Sequence, residues 1–296
     1  MQRGVPQGSV LGPILFNLFV WDLPQVIRWS KIVMYADDVQ IIFRCRKFEV
    51  DATTQLQEDI NQVEEFMKAN GLTINNEKTN AIHLSNNHTR LPRLLLNGQL
   101  IQFVKQARNL GVLFDDSLRF KNHVSRIVRA ARWKLFKVRS LFNFLKGERL
   151  KRLIQSAVIY PLMYGSSIWG PRLRMEDLRR LQVVQNWAIK IIFGRSWTDH
   201  CSDLFAELKW TTITQLIVTK LTCLTHTASS GLLGEDLNNL FVKFDNDHGT
   251  RGNHKLFRLC TYRQEGFSSF RFTGAHYANL PPLPDIKEDN VNFRQI

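Results

Sequence analysis

The sequence predicts an α+β region followed by a region built from helices, and two patterns support this division. Residues 1–118 contain short apolar runs separated by Gly, Asn and Asp, which is typical of strands and tight turns. From residue 119 apolar residues recur every three or four positions, the period of one helix face. The charge changes at the same point, because 1–118 carry 12 basic and 12 acidic residues, 119–195 carry 18 and 3, and 196–296 carry 10 and 11. We therefore predict three parts with these boundaries.

The first region is predicted to begin with a helix and to continue with strands. Ser9 is a preferred N-cap residue and precedes an apolar run that ends at about Leu23. A second, amphipathic helix runs through Leu56 and is expected to end at Gly71. Asn97-Gly98 between two apolar pairs is a strong signal for a β-hairpin. The predicted strands comprise residues 31–35, 39–43, 72–74, 80–84, 94–96, 99–101 and 109–114.

The second region is predicted to begin with one long basic helix. Apolar residues alternate at spacings of four and three from Val124 to Leu145, and Arg and Lys lie away from this seam. Gly147 is expected to interrupt the helix. The remaining predictions are helices at 149–159, 175–192 and 213–227, and a Gly-, Asn- and Pro-rich tail after Asp245 with a short last helix.

Composition narrows the classes of function. The four cysteines lie far apart without a C-x2-C pair, so reduced, buried thiols are predicted rather than a disulfide framework or a zinc site. No run approaches the roughly 20 apolar residues of a membrane span, so no membrane partner is expected. The net charge of +14 is concentrated between residues 119 and 195. This favours a surface that follows nucleic-acid phosphates, with a solvated basic face as the alternative.

Asp37 and Asp38 are the residues that suggest chemistry. They adjoin each other between two apolar strands, where like charges repel unless a cation lies near them. Mg²⁺ is the natural candidate because it is a hard ion that is held by one or two carboxylates together with substrate phosphates. The alternative is an ordinary type I′ turn, and the pair in isolation does not exclude it.

The surrounding motifs resemble those of a known family. In order along the chain they are Arg3–Pro13, Tyr35-Ala36-Asp37-Asp38, Gly71–Asn75, Lys78-Thr79 and Asn109–Val112. This order resembles the palm motifs of reverse transcriptases of the non-LTR, LINE-type retrotransposons, and the tail resembles jockey-like elements. The resemblance implies an α+β partial reverse-transcriptase palm followed by an all-α thumb-like domain, residues 119–195, and a helical carboxy-terminal region.

The resemblance also implies roles for individual residues. Asp37 is expected to bind catalytic Mg²⁺, with Asp38 as a weaker or indirect ligand, because two ions activate the primer hydroxyl and stabilise the leaving pyrophosphate. Lys78 is expected to place positive charge near the pyrophosphate, although in isolation it is a surface lysine after a turn. The residues expected under the template base and incoming nucleotide are Gln7, Gly8 and Ser9.

Two further groups are expected to contact nucleic acid. Leu110, Gly111 and Val112 resemble the primer-grip hairpin, with a plain core strand as the alternative. The thumb-like helix is expected to grip the template and primer backbones. Its candidate contacts are Arg126, Arg129, Arg132, Lys137 and Arg139. Tyr160, Tyr164, Trp169 and Trp187 could stack on bases, but their helical spacing beside Leu and Ile favours a place in the core.

Parts of the enzyme are expected to be missing from the sequence. In the family the fingers and another aspartate-bearing strand precede the motif with which this sequence begins, and neither Asp22 nor the pair Asp115-Asp116 replaces that aspartate. We therefore expect an incomplete two-Mg²⁺ site in a truncated, inactive RNA-directed DNA polymerase. The alternatives are a non-catalytic nucleic-acid-binding remnant of a mobile element and a relic without function. The implied partners are an RNA template with a DNA primer or RNA–DNA hybrid, and nucleotides, in a nuclear or cytoplasmic ribonucleoprotein.

Overall fold

The computed structural model describes residues 4–6, 8–45, 50–84 and 91–239, and it divides into two units, residues 1–107 and 108–296. Within the second unit, helices on both sides of residue 195 contribute to one hydrophobic core. The predicted three-part division with boundaries at 118 and 195 stays a prediction. The predicted tail after Asp245 and Cys260 lie outside the described residues.

The first helix, α1, comprises Gly12–Phe19 and is shorter than predicted. The prediction that Ser9 is its N-cap was wrong, because Pro13 occupies the first turn and Leu11 is the N-cap residue. Proline suits this position since its fixed φ matches the helix and its missing N–H is not needed there. A 3-10 turn at Leu23–Gln25 follows.

Strands β1 (Lys31–Tyr35) and β2 (Asp38–Ile42) form an antiparallel hairpin, as predicted. In its register Tyr35 lies opposite Asp38, so only Ala36 and Asp37 form the turn. Asp38 is therefore the first residue of β2 rather than a turn residue. Within the described part of the chain, this sheet contains two strands.

Helix α2 (Val50–Ala69) supplies one side of the core of the first unit. Its end is the predicted one, since Gly71 has a φ of 67° and the Leu72 N–H donates to the Met67 carbonyl at 2.8 Å. This is the Schellman geometry, in which glycine avoids the steric cost of the left-handed region. The buried cluster comprises Leu56, Ile60, Leu94 and Leu96, with Ile41, Phe43, Ile74, Ile101 and Phe103 packed against it.

Four short strands complete the first unit. They are β3 (Asn80–Ala81), β4 (Leu95–Leu96), β5 (Gln99–Leu100) and β6 (Gln102–Phe103). Strands β4 and β5 form the predicted hairpin, in which Asn97 and Gly98 both have positive φ, whereas β3 pairs with β6 in parallel. The predicted strand at 72–74 was wrong. Ile74 packs against the α2 core from a loop, so burial of this apolar residue does not require strand pairing.

The hairpin of β7 (Gln106–Asn109) and β8 (Val112–Asp115) lies where the first unit ends and the second begins. A single strand over 109–114 was predicted, and this was wrong. Leu110 and Gly111 form the turn, with φ of 43° and 85°. Two positive φ values are characteristic of a type I′ turn, whose twist matches that of antiparallel strands.

Helix α3 (Lys121–Arg139) buries the predicted apolar seam, which comprises Val124, Val128, Ala131, Leu135 and Val138. It ends before the predicted residue Leu145, although Phe142 and Leu145 still pack against the same core from the following turns. Asp115 fixes the approach to the helix by accepting hydrogen bonds from the N–H groups of Ser117, Arg119 and Phe120.

A continuous helical stretch follows, made of α4 (Gly147–Ile154), a π-helical segment (Gln155–Ile159) and α5 (Tyr160–Leu162). In the π-helical segment hydrogen bonds span five residues instead of four. The Lys134 ammonium of α3 donates to the Ala157 carbonyl of this segment at 2.9 Å.

The remaining helices are α6 (Ser166–Trp169), α7 (Met175–Ile192), α8 (Ser202–Leu208), α9 (Ile213–Ser229) and α10 (Glu235–Asn238), with a 3-10 turn at Gly170–Arg172. The predictions of α7 and α9 are confirmed. Thr212 and Gln215 form a capping box at the start of α9. One buried core extends from Val112 to Leu221 and includes the fully buried Trp169.

Two predictions made from composition can be compared with the described residues. None of the helices in the described ranges combines the length and the apolar composition needed to span a bilayer. Cys201 is buried as predicted, but Cys223 is exposed, so the prediction of buried thiols was wrong for that residue. Cys223 lies on the solvent side of α9, whose opposite face buries Leu221 and Thr225.

Candidate active site and nucleic-acid interface

The acidic turn lies at the exposed end of the β1–β2 hairpin. Asp37 and Asp38 are both exposed, and Tyr35 beside them is 65% exposed. Ala36 precedes the pair with a φ of 51°, and Asp37 does not share this positive φ. A positive φ at the first turn residue alone is the pattern of a type II′ turn, which normally has glycine there. The turn therefore carries strain at Ala36 and presents two neighbouring carboxylates to solvent.

The donor set of this turn suits a divalent ion only in part. Carboxylate oxygens are the ligands that Mg²⁺ prefers, and two of them can hold one ion together with water and phosphate. Within the described ranges, however, no group of three or more His, Cys, Asp or Glu side chains could hold a metal ion. The residues present thus provide a partial site for one ion and not the fuller donor set of a two-ion site.

Asp59 anchors the strand that leads to the acidic turn, and sequence reasoning missed it. Its side chain is 1% exposed and accepts hydrogen bonds from three consecutive backbone N–H groups, those of Arg28, Trp29 and Ser30, at 2.8, 3.1 and 2.6 Å. These residues come directly before β1. The helical spacing of α2 does not distinguish Asp59 from its exposed acidic neighbours, so no signal in the sequence predicted this contact.

The predicted nucleotide-binding and lysine positions lie in loops. Gly8 has a φ of 86° with open space where a Cβ would lie, so its backbone conformation rather than crowding favours glycine. Ser9 accepts a hydrogen bond from the Gly12 N–H at 3.1 Å, and Gln7 lies outside the described residues. Lys78 is exposed, and no hydrogen bond or ion pair joins it to Asp37 or Asp38. The roles of these residues stay predictions.

The turn predicted to resemble the primer grip is strained, and two side chains bind its carbonyl groups. Leu110 has a φ of 43°, which is a rare conformation for a bulky side chain. Its carbonyl accepts a hydrogen bond from the Tyr164 hydroxyl at 3.0 Å, and the Gly111 carbonyl accepts one from the Arg126 guanidinium. A Cβ at Gly111 would lie 3.4 Å from the Tyr164 ring. Two side chains from distant parts of the second unit therefore fix the shape of this turn.

His123 is a further support of the same hairpin that sequence reasoning missed. It is 2% exposed, and its Nδ1 accepts a hydrogen bond from the Leu113 N–H at 3.2 Å. Burial, with a smaller contribution from the Arg126 guanidinium, lowers the pKa of His123 from 6.5 to about 4. His123 is consequently neutral at pH 7, and its acceptor nitrogen is assigned from the hydrogen bond that it makes.

The carboxylate of Asp115 stabilises the local fold and does not serve as a metal ligand. Burial favours the neutral carboxyl, but hydrogen bonds from the Ser117 hydroxyl and three backbone N–H groups outweigh it, so the pKa of Asp115 lies below its ordinary value. A carboxylate with this many internal donors has few lone pairs left for an ion. This agrees with the expectation that Asp115 does not replace the missing catalytic aspartate.

The predicted nucleic-acid contacts lie on α3. This helix contains seven basic and no acidic residues, and Arg126, Arg129, Arg132, Lys137 and Arg139 are all exposed. Among the residues that the structure describes, no carboxylate forms an ion pair with these five side chains. Their positive charge is thus not neutralised by described acidic residues, as a phosphate-binding surface requires.

Aromatic side chains accompany these cations. The Arg132 guanidinium lies 5.1 Å from the Trp187 ring, the Lys137 ammonium 3.7 Å from the Trp133 ring, and the Arg139 guanidinium 4.8 Å from the Trp197 ring. Each distance is within the range of a cation–π interaction. Trp133 and Phe136 are 58% and 77% exposed, and sequence reasoning missed both. Their position off the apolar seam of α3 was the signal that could have identified them.

The four aromatic residues predicted for the core differ among themselves. Trp169 is fully buried, as expected, and its indole N–H donates to the Tyr164 carbonyl at 3.0 Å. Trp187 is half-buried. Tyr160 and Tyr164 are 66% and 57% exposed, so their assignment to the core was wrong. The π-helical segment and the turn that follows α5 place them on the solvent side, which a regular helical period does not anticipate.

A groove of about 590 Å³ is present elsewhere in the first unit. It lies along α2 and is lined mainly by polar residues, among them Gln57, Glu58 and Glu64. Gln57 fills a structural role there, because its amide exchanges two hydrogen bonds with the backbone of Leu95, both at 2.8 Å. Neither Asp37 nor Lys78 lines this groove.

Comparison with known proteins decides the family of the first part of the chain. Residues 1–114 match the family described as reverse transcriptase (RNA-dependent DNA polymerase). These residues belong to the reverse transcriptase family. The family identified from the ordered motifs is therefore confirmed, and the acidic turn lies within the reverse transcriptase segment, residues 1–114. Enzymes of this family use divalent metal ions and bind RNA templates and nucleotides.

Curated relatives extend the similarity beyond the reverse transcriptase segment. The chain is 28% identical over 219 residues to the RNA-directed DNA polymerase from mobile element jockey of Drosophila funebris, and 31% identical over 217 residues to the probable RNA-directed DNA polymerase from transposon X-element of Drosophila melanogaster. Each alignment covers 71% of this chain and 24% of the relative. A Pol polyprotein from the type-1 retrotransposable element R1 of Nasonia vitripennis is 26% identical over 60% of this chain and 55% of its own length.

Two consequences follow from these comparisons. Alignments of more than 200 residues exceed the reverse transcriptase segment, so part of the helical unit also has counterparts in polymerases of non-LTR retrotransposons. The chain spans about a quarter of the length of the jockey and X-element relatives. No solved structure is significantly similar to the chain.

Proposed function

We propose that this chain supplies the acidic turn and part of the nucleic-acid-binding surface of an RNA-directed DNA polymerase of a non-LTR retrotransposon. One observation carries the proposal: Asp37 and Asp38 project from the exposed end of a β-hairpin inside the segment that matches the reverse transcriptase family. Two adjacent carboxylates at such an end repel each other, and a bound cation would remove this repulsion. The Mg²⁺ that polymerisation requires would be such a cation.

In this proposal Asp37 and Asp38 hold Mg²⁺, with Asp37 as the principal ligand. The ion supplies charge stabilisation for the transferred phosphate. Asp37 follows the strained residue Ala36 in the turn, and Asp38 is held by strand pairing opposite Tyr35. The backbone that carries the two carboxylates is therefore fixed, which lowers the cost of ordering the side chains when an ion binds.

The same proposal gives the loop residues and the second hairpin their roles. Gly8 and Ser9, together with Gln7, support the incoming nucleotide, and Lys78 contributes positive charge near the leaving pyrophosphate. The Leu110-Gly111 turn and Val112 position the primer end. Support for this last role comes from the two carbonyls of the turn, which are held by Tyr164 and Arg126 and so keep a strained shape.

A chimeric polymerase tests the catalytic part of the proposal. The aligned segment of a jockey polymerase is replaced by this chain, and incorporation of nucleotides onto a primed RNA template is measured. We expect the chimera to extend the primer and Asp37→Asn to reduce the rate by at least about 100-fold, because a metal ligand is lost while the shape is kept. The matched control is Asp22→Asn, which removes another exposed acid whose described contact is with Gln25. Equal rates for Asp37→Asn and the unmodified chimera would contradict the proposal.

The chain on its own provides a second test. Since the described residues offer two adjacent carboxylates and no larger ligand group, we expect no primer extension by the isolated chain. Extension by the isolated chain that Asp37→Asn abolishes would show that this donor set suffices. Such a result would support the polymerase role and contradict the prediction that the metal site is incomplete.

Binding of nucleic acid without catalysis is the second candidate function, and the uncompensated charge of α3 favours it. In either case we propose an RNA or RNA–DNA hybrid as the partner, within a ribonucleoprotein. Affinity should fall as the salt concentration rises. Arg129→Ala should reduce the slope of log affinity against log salt concentration by about 1, which is the contribution of one phosphate contact. Salt-independent binding, or no binding at low salt, would contradict a role in contacting phosphates.

A further inference from the structure

The outer face of α3 combines cations with two exposed aromatic rings. At 3.6 residues per turn, Arg126, Arg129, Trp133, Phe136 and Lys137 fall within about 120° around the helix axis. Trp133 is 58% exposed and Phe136 is 77% exposed. The opposite face already contributes the buried seam, so these two rings are not needed for the hydrophobic core.

The spacing of the two rings suits adjacent bases. Residues three apart on a helix have Cβ atoms about 5–6 Å apart, which is close to the separation of neighbouring bases in an extended strand. Arg129 precedes Trp133 by about one helical turn, and the Lys137 ammonium lies over the Trp133 ring. A phosphate beside the ring would therefore meet a cation on either side.

We propose that this face of α3 is a stacking site for unpaired nucleotides, with Trp133 and Phe136 contacting the bases and Arg129 and Lys137 contacting the phosphates. The inference rests on the nucleic-acid-binding part of the proposed function and makes it specific. Proteins that bind single strands combine a positive surface with aromatic side chains, because every base has a face that can stack. The bases of a duplex are already stacked on one another and do not offer these faces.

Charge favours a nucleic acid over the other occupants of such a face. The helix has seven cations and no acid, which complements a polyanion. A membrane-surface helix would insert a broad apolar face, but the apolar face of α3 is buried in the core of the second unit. The centre of a protein interface is depleted in charged residues, whereas here cations alternate with the rings.

Binding of two short oligonucleotides tests the proposal. Fluorescence anisotropy at fixed salt compares a single-stranded RNA of about 12 nucleotides with an RNA–DNA hybrid duplex of the same length. Trp133→Ala and Phe136→Ala are each expected to weaken binding of the single strand by between about 5-fold and 150-fold. Binding of the hybrid should change by less than about 2-fold, and the salt slope should stay the same.

Two control variants separate this inference from the proposed function. Phe144→Ala removes an aromatic ring that is 84% exposed outside α3, and it should bind both oligonucleotides as the unmodified chain does. Arg129→Ala should weaken binding of both and reduce the salt slope. Unchanged binding of the single strand by Trp133→Ala and Phe136→Ala, with weaker binding by Arg129→Ala, would overturn the stacking site and leave phosphate binding intact. Equal losses for the single strand and the hybrid would overturn the preference for unpaired bases, and absence of binding by the unmodified chain would overturn both.

Discussion

The two units of this chain are stabilised in different ways. The helical unit has a continuous buried core that extends from Val112 to Leu221, whereas the main cluster of the first unit comprises Leu56, Ile60, Leu94 and Leu96. In the first unit Asp59 adds polar contacts with three backbone N–H groups to this small cluster. The candidate metal ligands thus lie in the less buried unit, and the candidate nucleic-acid surface lies on the better packed one.

The comparison suggests where each unit should be sensitive. A large buried core distributes stability over many contacts and resists local opening, whereas a small cluster with few polar anchors opens more readily. The exposed apolar residues of the first unit, which include Val10, Leu11, Leu18 and Trp21, fit the same distinction. Four substitutions or pH changes test it, from the largest expected effect to the smallest.

Loss of Trp169 should have the largest effect, and it should act on the helical unit. Trp169 is fully buried and lies beside His123, so Trp169→Ala leaves a large cavity. We expect the free energy of unfolding of this unit to fall by about 4 kcal/mol, measured by urea denaturation followed through the helical circular dichroism signal. Trp133→Ala is the matched control and should cost less than about 0.5 kcal/mol. Similar losses for both variants would remove the distinction between a core and a surface tryptophan.

Acid should destabilise the helical unit through His123. Its pKa in the folded protein is about 4, below the ordinary 6.5, so the unfolded chain binds a proton first as the pH falls. Stability is therefore full above about pH 6.5 and declines toward pH 4, by up to about 3 kcal/mol. The contribution of Asp115, whose pKa is lowered, is lost only at still lower pH.

Urea denaturation between pH 7 and pH 4.5 measures this effect. His123→Asn retains an acceptor for the Leu113 N–H but has no titratable group, so its stability should vary less over the same interval. A variant with the same pH dependence as the unmodified chain would assign the acid sensitivity to other residues.

Asp59→Ala should destabilise the first unit without affecting the helical unit. The three backbone N–H groups before β1 would lose a charged acceptor, at a cost of about 2 kcal/mol. Hydrogen exchange should show faster exchange in residues 28–42 and unchanged exchange in α3 and α7. Glu58→Gln is the control, since Glu58 is exposed beside Asp59 and accepts a hydrogen bond from the Trp29 indole N–H. Uniform acceleration across both units would mean that they do not unfold separately.

The smallest expected effect is a gain of stability at the acidic turn. Ala36→Gly removes the strain of a positive φ and should stabilise the β1–β2 hairpin by about 1 kcal/mol. Gly98→Ala provides the reverse control. Gly98 has a φ of 74° and open space where a Cβ would lie, so a loss of stability in this variant would come from backbone conformation and not from crowding. Thermal denaturation of the two variants should show shifts of opposite sign. A loss of stability in Ala36→Gly would show that the turn is not strained.

Much of the helical unit could be predicted because its helices follow one rule. Spacings of three and four place Val124, Val128 and Leu135 on one face, and the structure buries that face. The Asn97-Gly98 hairpin was equally predictable, since both residues tolerate positive φ. The acidic hairpin was found from its flanking apolar strands, although the assignment of Asp38 to the turn was wrong.

The remaining features depend on contacts between residues that are distant in sequence. Tyr164 lies 54 positions from Leu110, whose carbonyl it contacts, and no local pattern reports such a pairing. The turn at Leu110 contradicts the usual preference for glycine or asparagine, so turn chemistry alone did not predict it. The burial of Asp59 could not be predicted from the sequence for a similar reason, because its partners are backbone groups and these have no sequence signature.

The π-helical segment Gln155–Ile159 has a consequence for the surface that follows it. Such a segment holds one residue more than an α-helix of the same length, so deleting one residue there would restore a regular helix. Residues on the two sides of the deletion would keep nearly the same orientation, because five residues of a π-helix turn about as far as four residues of an α-helix. Leu150 and Ile154 would therefore stay in the protein interior, and Tyr160 would stay on the solvent side. A deletion in the regular part of α4 would instead rotate the residues that follow it by about 100° relative to those before it. The π-helical segment thus tolerates a change of length that the neighbouring helix does not, and Tyr164 would keep its contact with the turn that it supports.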